Sequence, residues 1–206
     1  VHRWLMTVGA LLTAVALLLL SLLPGPPAEA VAMTAWVEHG HSLLLWSNEL
    51  LFFAVICWGS GARGLVRAGR SARVDVGGTA FTVALAALVV VLLAVGRLVY
   101  PVFGIGLSTE VVALVVSSAF GALHLAFLGF AVAAVTLSWS TRAGLIGRAV
   151  GIVAAVAFIM GSFPWLTPHW WNALVPLLVA AWGVFFACVA RTEKPGDATE
   201  TTSSTV

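Results

Sequence analysis

Residues Gly78 to Tyr100 read GTAFTVALAALVVVLLAVGRLVY, a run broken by a single charge, Arg97. About 20 mostly apolar residues, rising 1.5 Å each in a helix, cross ~30 Å of hydrocarbon, and this stretch supplies them. Lipid offers no partner for unpaired backbone groups. A segment this apolar all round is therefore expected to satisfy them within itself, as a helix.

Five further stretches read the same way: about Trp4–Leu23, Ser42–Gly61, Glu110–Leu137, Leu145–Phe163 and Trp170–Ala190. The expected fold is an all-α, polytopic membrane helix bundle with six transmembrane helices. It forms one domain over residues 1–191, followed by a disordered tail over residues 192–206 that is rich in Thr, Ser and acid. The connections carry chain breakers, namely Pro24, Pro26, Pro27, Pro101, Pro164 and Pro168. Arg3, the first apolar run and Ala28-Glu29-Ala30 also resemble a secretory signal, whose cleavage would leave five spans. Signal cores usually run about 7–15 residues, and this longer one favours a retained span.

Composition agrees. Hydrophobic types make up 61% of the 206 residues and charged types 9%, against about 25% charged in soluble domains. So little charge excludes a nucleic-acid partner and most cytosolic enzyme classes, and the net charge of +2 implies no acidic partner. Cys57 and Cys188 are too few for a disulfide framework or a four-thiolate metal site.

Positive charge sets the expected orientation. Arg63, Arg67, Arg70 and Arg73 lie between spans two and three, and Arg142 and Arg148 around the link between four and five. Arg3 precedes the first span, while Arg191 and Lys194 follow the last. Both termini are then cytoplasmic, in a multi-pass protein of the cell membrane. Trp4, Trp58 and Trp139 would mark the inner boundary, and Trp36, Tyr100, Trp165, Trp170 and Trp171 the outer one. Ala143, Gly147, Gly151 and Ala155 recur every four residues, a small-residue stripe suited to close helix packing within the monomer. Pro176, inside the last span, predicts a kink and a carbonyl on Asn172 without its helical donor.

Ionisable groups in hydrocarbon cost roughly 2.5–3.5 kcal/mol or more, so each one needs a reason. Glu49 lies about two turns into span two, Arg97 near the outer end of span three, and His124 mid-span with Ser117 and Gly121 at helical spacing. Glu38, His39, His41, Glu110 and His169 surround the outer mouth. Ser108 can cap span four with Glu110 in its first turn, and Arg97 can reach the interface or pair with Glu49. Glu38-His39-Gly40-His41 offers metal-ligand types, but no second ligand pair at fixed spacing accompanies it, so no metal or other cofactor is expected. Walker, zincin, nucleophile-elbow and Asp-rich motifs are missing from the sequence.

Burial favours the neutral form of a carboxyl, and aromatic faces stabilise a carbocation. Trp46, Phe52 and Phe53 stand at i−3, i+3 and i+4 from Glu49. With Asn48-Glu49 amid these rings, the chain resembles bacterial integral-membrane terpene cyclases of meroterpenoid and indole-terpenoid pathways. It is similar also to small actinobacterial membrane proteins with Ala-, Val- and Gly-rich helices.

The resemblance implies a metal-independent cyclase or isomerase that protonates a prenyl lipid, a hydrophobic small-molecule substrate, from a buried acid. Depth selects Glu49 for that role, with Glu38 and Glu110 the remaining acids. Trp46, Asn48, Phe52, Phe53, Arg97, His124 and Trp182 are the candidate substrate contacts. The alternative is a non-enzymatic membrane component: a transporter or sensor partner, or a small-ligand binder with an outer His/Glu cluster.

Overall fold

The computed structural model describes residues 2–67, 71–141, 143–164 and 166–189, with side chains except at 65–67 and 169. Arg70, Arg142, Trp165, Arg191, Lys194 and the tail expected over 192–206 lie outside the described residues, as do the side chains of Arg67 and His169. The chain is all-α. Among the described residues the helices are α1 (His2–Ser21), α2 (Ala30–His39), α3 (His41–Arg67), α4 (Ala72–Val99), α5 (Thr109–Trp139), α6 (Gly144–Gly161) and α7 (His169–Val189). All but α2 are long and apolar enough to span a bilayer, which makes this a multi-pass membrane protein.

The six long helices form a closed ring. α1 packs against α3 and α7, α3 against α4, α4 against α5, α5 against α6, and α6 against α7. The last turns of α3 and α5 and the first turns of α4 and α6 lie at the end rich in arginine, and the last turns of α1, α4 and α6 at the end rich in proline. The connection between the first two spans, marked in the sequence by Pro24, Pro26 and Pro27, also contains α2. This is a short helix at the proline end, seated on α5 and α3. Met33 and Val37 on α2, one turn apart, pack with Leu44 of α3, Val99 of α4, and Val112 and Val116 of α5.

Toward the arginine end the ring is filled by aromatic side chains. Trp58 meets Phe130 with ring centroids 4.8 Å apart and Phe81 at 5.3 Å, while Phe158 meets Trp182 at 5.7 Å. Buried indoles need an acceptor for their N–H. Trp58 Nε1 donates to the Met6 carbonyl (3.1 Å) and Trp182 Nε1 to Ser138 Oγ (3.1 Å). Trp58, expected at the membrane boundary, is therefore a fully buried core residue. The reason is Gly9, where a Cβ would lie 1.9 Å from Trp58 Cδ1, so only glycine leaves room for the ring. Ser47 Oγ also donates to the Ala16 carbonyl at 2.9 Å. With two side-chain bonds from α3 ending on its backbone, α1 is an integral wall of the ring.

The small-residue stripe on α6 faces α5. A Cβ on Gly151 would stand 2.7 Å from both the Ala134 carbonyl oxygen and Ser138 Cβ. The stripe thus serves packing inside the monomer, as its spacing suggested.

Candidate functional site

Helix lengths create the site. At ~1.5 Å per residue, the 31 residues of α5 extend about 46 Å and the 18 of α6 about 27 Å. The two meet at the arginine-end turn, so α6 stops about 20 Å short of the start of α5. His124, half-way along α5, marks that level: its Nδ1 lies 3.3 Å from the carbonyl oxygen of Ser162, just past the end of α6. Its ring also packs at a tilt against Phe163, with centroids 4.7 Å apart. Beyond His124, the α5 face carrying Ser117 and Gly121 is exposed, with no atom within 4 Å of where a Gly121 Cβ would stand.

Inside the proline half of the ring lies a cavity of about 130 Å³. Leu17 and Leu20 of α1, Val91 and Val95 of α4, and Phe120 and Leu123 of α5 form much of its wall. Val175 and Pro176 of α7 close it opposite, and Trp36 of α2 and the Pro24–Pro26 turn border it at the proline end. Phe127 joins it to the aromatic packing below, 6.0 Å from Phe158 between ring centroids.

No ionisable side chain lines this cavity among the described residues. Its few polar side chains are already engaged. Ser21 Oγ donates to the Leu18 carbonyl (2.8 Å) and Trp36 Nε1 to the Pro24 carbonyl (2.8 Å). Asn172 Nδ2 donates to the Pro164 carbonyl (3.0 Å), and its Oδ1 accepts from the Thr167 hydroxyl (2.7 Å). Pro176, having no N–H, leaves the Asn172 carbonyl without its helical donor. An occupant of such a space gains chiefly from burying hydrocarbon, since the wall is mostly apolar and its few polar side chains are each bonded to the protein.

The acids chosen from the sequence lie elsewhere. Glu49 is half-buried where α3 meets the end of α4 and accepts a hydrogen bond from the Tyr100 hydroxyl. Asn48 sits beside it against Gly96, with its Oδ1 buried and without a hydrogen-bond partner. Arg97 is not paired with Glu49. It donates to the Ile105 carbonyl (2.9 Å) and so holds the loop in which Phe103 adopts a left-handed backbone (φ 55°).

Trp46, Phe52 and Phe53 flank Glu49 in sequence, but they project from the outside of the ring and are exposed. Trp182 lies in the aromatic packing beneath the cavity. His124 stands at the end of α6. None of these candidate contacts lines the cavity.

Glu38 and His39 are exposed on the last turn of α2, and His41 Nε2 lies 3.1 Å from the Val99 carbonyl oxygen. Glu110 occupies the first turn of α5, which Ser108 caps by accepting from the Val111 N–H. No three His, Cys, Asp or Glu side chains converge among the described residues.

Sequence reasoning missed Tyr100 as the partner of Glu49, and it missed the cavity wall. The wall positions on α5 (Val116, Phe120, Leu123, Phe127) do recur at helical spacing. On a helix apolar all round, that spacing does not stand out.

No family model matches this chain, and no curated protein or solved structure matches it.

Proposed function

We propose that the chain binds a small apolar molecule, or the hydrocarbon end of a prenyl or acyl lipid, inside the ring of spans. The observation that carries this reading is a cavity in the proline half whose wall is apolar and whose polar side chains are all bonded to the protein. A dry cavity of about 150 Å³ elsewhere accepts benzene, so a space of 130 Å³ holds a few isoprene or acyl carbons. The shortness of α6 supports a path from the bilayer between α5 and α7, beside Phe120 and Pro164. Proton-initiated cyclisation would require an acid and this cavity to meet. Glu49, Glu38 and Glu110 lie outside its wall, so binding without chemistry is the reading the geometry favours.

The arginine distribution supports cytoplasmic termini in the cell membrane, with the cavity in the outer half. Irradiating the purified protein with a diazirine-bearing prenyl probe tests the binding reading. Adducts are expected at Val95, Phe120 and Val175, and Ala119→Phe, which fills the cavity, should abolish them. Labelling spread over exposed positions such as Leu93 and Phe53, insensitive to Ala119→Phe, would sink it. Conversion of a prenylated substrate to a cyclic product would favour the enzymatic alternative.

A further inference from the structure

The arginine end carries a second arrangement, separate from the cavity. Arg73, in the first turn of α4, and Arg148, in the second turn of α6, both lie over the indole of Trp139 in the last turn of α5. Their guanidinium carbons stand 6.0 and 5.9 Å from the ring centroid. Both arginines are exposed, and no carboxylate pairs with either among the described residues. A single indole thus gathers two guanidinium groups at this end of the bundle. Each keeps its N–H fork open to an anion.

The surface below this pair is hydrocarbon. On α5, between α4 and α6, Leu125, Leu128 and Val132 are exposed at spacings of three and four, forming a track that leads from Trp139 into the membrane. Cations at the end of a span with an apolar track beneath them match the two halves of a phospholipid. A phosphate group meets the arginines, and an acyl chain lies along α5. Arginine forks fit phosphate oxygens bidentately, and basic pockets between transmembrane helices suit anionic headgroups.

We propose that Arg73, Trp139 and Arg148 form a binding site for the phosphate headgroup of an anionic membrane lipid, whose chain runs along the exposed face of α5. The test is native mass spectrometry of the full chain, released from micelles containing phosphatidylcholine together with phosphatidylglycerol or cardiolipin. Retained anionic lipid is expected on the wild-type protein. At about 1 kcal/mol per arginine near a lipid surface, Arg73→Gln and Arg148→Gln should each weaken retention about fivefold. Arg73→Lys, which keeps the charge but not the planar stack, should fall between wild type and Arg73→Gln.

Arg63→Gln, which removes an arginine from the same end but not from Trp139, should leave retention unchanged. Equal loss in Arg63→Gln would overturn the site in favour of diffuse charge attraction. Anionic lipid binding unaffected by the double Arg73→Gln, Arg148→Gln variant would overturn it outright. Inorganic phosphate competing as well as the lipid would show that the chain track contributes nothing, and the lipid assignment would fail. Melting of each variant in phosphatidylcholine alone checks that the fold is intact.

Discussion

The Tyr100 hydroxyl donates to the Glu49 carboxylate, which joins the last residue before the α4–α5 loop to a half-buried acid two turns into α3. Of the two roles the sequence left open for Arg97, pairing with Glu49 is not the one it takes, and Tyr100 partners the acid instead. This arrangement also pushes the pKa of the phenol above its usual value of 10.0, first through the hydrogen bond, then through burial and the nearby carboxylate charge. Tyr100 is the sole tyrosine of the chain, so tyrosinate absorbance reads this site alone.

The sign of the pH effect follows. The folded protein holds the phenolic proton more tightly than the unfolded chain does. The contribution of this bond is therefore complete below pH 10 and lost as pH rises through the folded value. Tyr100→Phe should lower the melting temperature at neutral pH, and the gap should close in strong alkali. Glu49→Gln should bring the tyrosinate midpoint down toward 10. An unchanged midpoint would mean that the carboxylate is not its partner.

Ser138→Ala should leave the buried Trp182 N–H without its acceptor, at a cost of about 1–3 kcal/mol. Adding Trp182→Phe should then cost less than the sum of the two single changes, because the donor has gone as well. Unfolding in graded denaturing detergent on both single variants and the double measures the coupling. Strict additivity would show that the bond carries no energy.

Gly151→Leu forces side-chain atoms into the Ala134 carbonyl oxygen and Ser138 Cβ, where even a Cβ comes within 2.7 Å. Overpacking of this kind costs about 1–3 kcal/mol. Gly121→Leu, on a helix face where nothing lies within 4 Å, should leave the melting temperature near wild type. Similar losses in the two variants would mean that helix propensity or yield, rather than the α5–α6 contact, was being read.

The proposed cytoplasmic placement of both termini predicts a labelling pattern in intact cells. On a background lacking Cys57 and Cys188, single cysteines at Ser71 and Thr141 should be protected from an impermeant thiol reagent. Cysteines at Glu29, Ser108 and Thr167 should react. Reaction at Ser71 would invert the topology and place the cavity in the cytoplasmic half.

What the sequence determined by itself was the number, position and type of the spans. Hydrocarbon imposes helices on any apolar run of sufficient length, whatever its neighbours are. Local capping was legible for the same reason, since Ser108 acts within its own turn. The α6 stripe was legible too, because small residues at fourfold spacing read as close packing.

The tertiary structure alone decided which face of each helix turns inward. In water, apolar periodicity marks the buried face; in lipid, Trp46, Phe52 and Phe53 are as comfortable outside as Phe120 and Phe127 are inside. Glu49 stands two turns into α3, but position along a helix does not select a partner, and Tyr100 rather than Arg97 reaches it. The cavity depends on a length difference between two packed helices and on α2 folding over the ring. Neither is a property of any one stretch of sequence, and both follow from how the six spans meet.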